Sequence, residues 1–481
     1  MKKILLKILV IILALNFTLL YPAENSNEIK KKNLKRAIKE NLILFAYSFP
    51  SYWIRHNIMK EDWEFKFTWE DQSRRIFGLE GVKFDSNTFQ FNWTHSLSGS
   101  LYHNFARVNN LNLLESFLFS STVSLLWETF NEFREVISIN DVIFTPMGGL
   151  TIGESLYNLG LYNYSNNKGI KQKLLTLITN PVIFLNDLLS KKNKPKKNAN
   201  FSSLFKLSFS QQFNINYNND TPLLRLDFNS KLFNNKFVYD KKNKLNIFTK
   251  GTLFSSIDLD ILLSFDKIEE YSFYSKIIYS GKTIKKVYKN NDGYLKYYGL
   301  SSSYDFFKEM YDIKNPDRYA VINLFGYDFN YLRFKRNLEF YFGISAYIHF
   351  SLINSIGFRE YHDEYNIVGT KTTLMQYNYY YAWGSSIYFN IGLNVNKFSL
   401  STNLKYMYFS SIEGLDRFEE YLINDFHLND SRLITKFKIG YDNNSIGIFI
   451  NIENFHRHGI IREFVKNDDK TSIYTQISFY L

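Results

Sequence analysis

The sequence predicts a mainly β protein: a transmembrane antiparallel β-barrel of about 12 to 14 strands, with a small helical domain inserted near or preceding its start. Three observations predict it. The second half alternates apolar and polar residues over long stretches, aromatic residues make up 18% of the 481, and the chain opens with an export signal. Mean hydropathy is only −0.25, and no apolar run after that signal is long enough for a membrane helix. A membrane helix needs about 20 apolar residues, whereas a barrel strand needs only about 9 to 11 that alternate.

Residues 1–23 read as a signal peptide. Lys2, Lys3 and Lys7 surround an apolar run from Ile4 to Leu20, and a short polar-flanked segment ends at Tyr21-Pro22-Ala23. Cysteine is absent, which excludes a lipidated N-terminal cysteine, a disulfide and a thiolate metal site. Residues 24–60 form a basic N-terminal segment, partly helical, in which Ile29 to Ile43 can fold as an amphipathic helix. The formal charge of +12 is concentrated: three Lys in the signal, six basic residues in Lys30 to Lys39 and five in Lys191 to Lys197. Setting those fourteen aside from 58 leaves 44 Lys and Arg against 46 Asp and Glu, so the rest of the chain is close to neutral. That distribution argues against a nucleic-acid partner and for solvated clusters or anionic lipid headgroups.

Residues 61–190 carry the remaining irregularity. Phe65, Phe67 and Trp69, then Phe89, Phe91 and Trp93, alternate and predict two early strands. Helical character follows in Leu111 to Glu135 and in Ile170 to Leu189, the second broken at Pro181, and this region is a candidate plug. Residues 191–200 have linker composition, and residues 201–481 carry the barrel. There, Leu338, Phe340, Phe342, Ile344, Ala346, Ile348 and Phe350 form one face, opposed by Glu339, Tyr341, Gly343, Ser345, Tyr347 and His349. The Tyr-rich run Tyr377 to Tyr381 reads as an interfacial aromatic girdle. The chain ends in another alternating strand, Ile473 to Leu481.

Most polar residues with chemical potential fall between Asn92 and Glu154: Asn92, His95, Gly99, Tyr102, Arg107, Ser124, Trp127, Glu128, Glu132, Ser138, Asp141, Gly149, Gly153 and Glu154. Ser124, Glu128 and Glu132 recur every four residues and would share a helix face, and Ser138 before Asp141 has the form of a helix cap. This order of residues resembles the bacterial domain of unknown function numbered 3943, and Phe325-Gly326-Tyr327-Asp328-Phe329 is similar to that family's aromatic Tyr-Asp segment. The resemblance implies an envelope location and no known activity.

Three readings of the constellation stand side by side. The preferred one is structural, with Arg107 paired to Glu128 or Glu132 and His95 and Tyr102 hydrogen-bonded. An enzyme acting on envelope lipid or cell-wall material would use His95 as general base and Ser96 or Ser98 as nucleophile. A metal site would draw on Glu128, Glu132, Asp141 and His95, but their spacing matches no standard motif, and no metal or cofactor is expected. The expectation is therefore a monomeric barrel in the outer membrane of a Gram-negative-type bacterium. Its partners are outer-membrane lipid and an unidentified solute, and it is structural or engaged in solute passage or binding, with a helical plug.

Overall fold

Alternation dictates extended chain wherever one face meets lipid and the other a lumen, and the second half folds accordingly. The computed structural model describes residues 32–59, 67–77, 81–85, 87–165, 169–189, 201–214, 223–234, 244–265, 267–288, 292–310, 316–365, 373–412, 427–443 and 445–480. The signal segment, the linker and Phe65 lie outside them. The chain divides near residue 199 into a helical unit and a barrel unit.

The helical unit contains α1 (Leu34–Met59), α2 (Trp69–Phe77), α3 (Phe89–Val108), α4 (Leu113–Leu126), α5 (Ile139–Gly148), α6 (Glu154–Ser165), α7 (Ile170–Thr179) and α8 (Pro181–Leu189). Wide π-type turns at Trp127–Asn131 and Gly149–Gly153 extend α4 and join α5 to α6. Two short segments, β1 (Val82–Lys83) and β2 (Ile137–Ser138), pair in parallel. The two early strands expected from Phe67, Trp69, Phe89, Phe91 and Trp93 are absent: Trp69 begins α2 and the other run lies in α3. Residues two apart in a strand share a face, but on a helix Phe89 and Trp93 share one while Phe91 points away, and Phe91 is exposed where Phe89 is buried. Pro181 does break the later helix, and Asn180 caps α8 by accepting from the Ile183 amide at 3.0 Å.

Gly99 lets α3 and α5 cross backbone to backbone. A β-carbon there would stand 1.6 Å from the Thr145 carbonyl oxygen.

The barrel comprises β3 (Phe201–Asn214), β4 (Leu223–Asn234), β5 (Lys244–Leu263), β6 (Ile268–Val287), β7 (Gly293–Glu309), β8 (Arg318–Lys335), β9 (Leu338–Asn354), β10 (Tyr379–Val395), β11 (Phe398–Ser411), β12 (Leu428–Asp442), β13 (Ile446–Ile461) and β14 (Phe464–Tyr480). These twelve strands close in sequence order, β14 returning to β3, with every neighbouring pair antiparallel. Tight turns at 336–337 and 396–397 mark one rim; the connection between β9 and β10 on the other contains α9 (Phe358–Tyr365) and α10 (Thr373–Tyr377).

The faces of the strands differ as a lipid-facing barrel requires. On β9, Ile344 and Ile348 are exposed while Ser345, Tyr347 and His349 are buried. On β13, Ile446, Ile448 and Ile450 are exposed and Phe449 and Asn451 buried. A continuous exposed row of isoleucines is tolerable in hydrocarbon and a liability in water. Tyr379, Tyr380 and Tyr381 are fully buried, so the Tyr-rich run is no exposed girdle.

Inside the rim that carries α9 and α10, an apolar cluster packs that connection against the barrel wall. Val321, Ile353, Met407, Phe409 and Leu428 from the wall meet Phe358 and Tyr361 of α9 and Leu374 of α10. Hydrophobic burial holds that connection inward, at roughly 1.5–3 kcal/mol for each large side chain removed from water.

Candidate functional site

The polar signature is built on α3. Its buried face carries Asn92, Ser96, Gly99, His103 and Ala106 at helical spacing, so polar and small residues occupy the positions where a core helix usually places large apolar ones. Two clusters form along that face.

The first centres on Glu154, fully buried at the start of α6. Arg107 grips its carboxylate with Nε 2.8 Å from Oε2 and Nη2 3.1 Å from Oε1, and donates through Nη1 to the Leu111 carbonyl at 2.9 Å. His103 Nε2 lies 3.1 Å from the same Oε2. Asn104 donates to the carbonyls of Ser100 and Gly153 and accepts from Asn180 at 2.5 Å, tying α3 to α8. Arg107 therefore pairs with Glu154, and not with Glu128 or Glu132 as its charge alone suggested. His103 escaped the sequence reading, although its place four residues after Gly99 on the buried face was the available signal.

In the second cluster, Glu128 accepts from the Ser138 amide at 2.9 Å, and Ser138 caps α5 by accepting from the Asp141 amide at 3.2 Å. Asn140 donates to Asn92 at 2.6 Å and to Asp141 at 2.8 Å while accepting from the Asp85 amide at 2.9 Å. His95 Nε2 stands 3.4 Å from Asp141 Oδ2, Ser124 donates to the Asp141 carbonyl, and Trp127 donates to Glu132 at 2.8 Å. The π turn adds a residue between Ser124 and Glu132, yet both acids stay buried. Arg75, also missed in the sequence, directs its guanidinium to the carbonyls of Glu128, Thr129, Glu132 and Glu135, terminating that turn.

Buried carboxyls gathered this closely resist ionisation. Burial first, and then the Asp141 charge, holds Glu128 well above the usual carboxylate range. Burial, followed by Glu128, does the same for Glu132, and burial with Asp85 for Asp141. Burial pushes Tyr102 up, with Glu132 and Glu128 in range, and pushes the His95 imidazole down to about 4. The folded state thus keeps carboxyl protons that the unfolded chain releases, so stability falls as pH rises from the ordinary carboxylate range toward the raised values. His95 acts oppositely and only below its ordinary value of 6.5. Hydrogen exchange of α3 and α5 amides, corrected for intrinsic rates, is expected to show less protection at pH 9 than at pH 5, just above the ordinary carboxylate range. Each carboxyl contributes at most about 1.4 kcal/mol per pH unit, and Glu128→Gln is expected to flatten the slope. Equal protection at both values would mean that these acids ionise normally.

The chemistry open to this arrangement is narrow. Asp141 does lie beside His95, but Ser96 donates to the Phe144 carbonyl at 3.3 Å inside the α3–α5 contact, and Ser98 is exposed. Among the described residues no three His, Asp or Glu side chains are arranged to hold a metal ion.

The barrel lumen carries the other polar concentration. Asp328 of the aromatic Tyr-Asp segment accepts from Lys276 at 2.9 Å and from Ser345 at 2.5 Å. Nearer the apolar cluster, Arg432 of β12 binds Asp317 through Nη2 at 3.0 Å and Nε at 3.2 Å, with Asp430 at 3.2 Å. Arg457 of β13 lies 3.9 Å from both Glu309 of β7 and Asp317, and Lys470 of β14 pairs with Glu309. Strands β7 and β13 are six apart in either direction around the twelve, so these pairs span the lumen.

No curated protein matches the chain. Among solved structures the barrel is similar to the KdgM porin at 9% identity, covering 57% of this chain and 98% of that one with a TM-score of 0.19. It is also similar to the translocator domain of autotransporter NalP from Neisseria meningitidis (6% identity, 59% and 89% covered, TM-score 0.20) and to the outer membrane channel DcaP of Acinetobacter baumannii (9%, 60% and 99%, 0.20). At such scores the barrel assignment rests on its own hydrogen bonding. Residues 81–182, which hold both polar clusters, match the family model described as a domain of unknown function, DUF3943, as the resemblance of these residues led one to expect.

Proposed function

We propose that the chain is exported through residues 1–23 and resides as a monomer in the outer membrane of a Gram-negative-type bacterium. There its barrel binds or passes a small polar solute, with the helical unit as plug. The observation that carries this reading is the contrast between outward rows such as Ile446, Ile448 and Ile450 and a lumen crossed by charged side chains. A barrel that served only as a scaffold would have no need of paired charges across its lumen, because apolar filling is often at least as stable.

The protein is expected to fractionate with outer membrane and to migrate faster on a detergent gel when unboiled. In proteoliposomes it is expected to admit small polar solutes above the rate of empty vesicles. Heat-modifiable protein that admits none would overturn passage. Glu154→Ala, which loosens the helical unit without touching the barrel, is expected to raise that rate; an unchanged rate removes the plug.

A further inference from the structure

Lys206 of β3 and Lys438 of β12 point into the lumen. The neighbours of Lys438, Phe437 and Ile439, are exposed on the outer face, and Lys206 shares its face with the buried Ser208 and Ser210. The two ammonium groups lie within hydrogen-bond reach of one another. Both also stand over a single ring, Phe449 of β13, at 5.2 Å for Lys206 and 3.6 Å for Lys438 from its centroid. The ring lies against the wall because two glycines leave it room: a β-carbon at Gly440 would be 2.7 Å from its Cδ1, and one at Gly447 2.3 Å from its Cε2.

Two like charges in contact call for a counter-charge between them. The carboxylates of this wall are engaged elsewhere. Asp227 accepts from Gln476 at 2.8 Å and is hydrogen-bonded to Asp260, Glu453 receives Arg225 at 3.2 Å and Lys436 at 3.9 Å, and Asp442 accepts from the Tyr480 hydroxyl. Among the described residues neither Lys206 nor Lys438 has a carboxylate within ion-pair distance, and Asp227 acts on both from further away. The acceptor that Lys438 does reach, Gln476 Oε1 at 2.9 Å, is neutral. Lys436 adds positive charge near both, and Lys231 near Lys206. Phe449 steadies the two cations through its ring face. Both lysine side chains are half-buried and not enclosed, so a solute in the lumen reaches them.

We propose that Lys206 and Lys438, seated on Phe449, form a lumenal binding site for the carboxylate or phosphate group of a small anionic solute. The anion bridges the two ammonium groups and turns a repulsive contact into two charge-assisted hydrogen bonds. Lysine presents compact point charges without the planar fork of arginine, so the site reads negative charge before it reads shape. The proposal rests on the reading of the barrel as binding or passing a small polar solute, and it gives that solute its charge.

The test is equilibrium dialysis of radiolabelled succinate, and separately of inorganic phosphate, against the full-length protein in nanodiscs of zwitterionic lipid. Wild type is expected to retain at least one of the two probes. K206Q/K438Q, verified as folded by its heat-modifiable migration, is expected to bind about tenfold more weakly or worse, whereas K335Q, at the exposed end of β8, leaves retention unchanged. Retention of succinate alone identifies a carboxylate site, of phosphate alone a phosphate site, and of both a site that reads charge. Retention of neither overturns the proposal and leaves loss of a proton from one lysine as what relieves the contact. Undiminished retention in K206Q/K438Q also overturns it. If the double variant does not fold, K206Q alone is measured, and the proposal fails unless that variant weakens retention. Entry of erythritol into proteoliposomes separates the two readings: probe retention without erythritol entry removes the passage and keeps the site, and entry without retention removes the site and keeps the passage.

Discussion

Glu154→Ala is expected to destabilise the helical unit by about 3–5 kcal/mol, the cost of removing one partner from a buried ion pair. The carboxylate holds two cationic-capable side chains at once, Arg107 through a two-point contact and His103, which is fully buried. Alanine would leave Arg107 without its charge partner and His103 without its hydrogen bond on the face that packs against α6. Glu154→Gln keeps one accepting oxygen and is expected to lose about half as much. Urea titration followed by helical circular dichroism in detergent reads the effect, because the barrel contributes little at that wavelength. A loss below about 1 kcal/mol, the range of exposed pairs, would show that water reaches the pair.

Gly99→Ala is expected to be comparably damaging for a different reason. The new methyl group would meet the Thr145 carbonyl oxygen, a backbone atom that no rotamer change can move aside. The α3 and α5 helices must then separate, at the upper end of the roughly 1–3 kcal/mol typical of overpacking or beyond it. Gly169→Ala provides the control: its nearest neighbour would be the flexible Gln172 side chain at 3.6 Å, so only the cost of alanine at the N-cap of α7, about 1 kcal/mol or less, is expected there. The same denaturation measurement applies, and equal behaviour of the two variants would refute the close crossing.

The barrel was legible because its period is two and its environment two-sided. The row Leu338 to Phe350 fell on β9, and the alternating run from Ile473 to Tyr480 fell on β14. The helical unit was less legible. Hydrophobic periodicity detects helices by their apolar stripe, and the stripe of α3 is Asn92, Ser96, Gly99, His103 and Ala106, which carries no hydrophobic signal. The aromatic residues that did stand out, Phe89, Phe91 and Trp93, imitated a strand. Ser138 as cap was readable from local spacing alone, and the structure has it in place. The partner of Arg107 was not, because Glu154 lies 47 residues away and is brought near only by the α3–α6 packing. Arg75 was invisible for a related reason: its acceptors are backbone carbonyls of a π turn, which no side-chain pattern announces. Nor does local sequence announce Arg457: the pleat sends its neighbours His456 and His458 outward and the arginine into the lumen, to acids more than 130 residues away.

Every barrel strand pairs with its neighbour in sequence except at one place, where β14 meets β3 through Ser472↔Asn214 to Tyr480↔Lys206. That junction joins segments more than 250 residues apart, with Ser208 and Ser478 hydrogen-bonded at 3.0 Å and Phe209 against Phe479. Its nine pairs are fewer than the seventeen that join β9 to β10. Loop-closure entropy makes such a contact the slowest to form. During biogenesis the hairpins can zip in order, but the ring stays open until the last strand arrives. A chain shortened by its final ten residues would remain an open sheet with two unsatisfied edges, which hydrocarbon does not tolerate. Closure of the ring and commitment to the membrane are thereby coupled through a single seam.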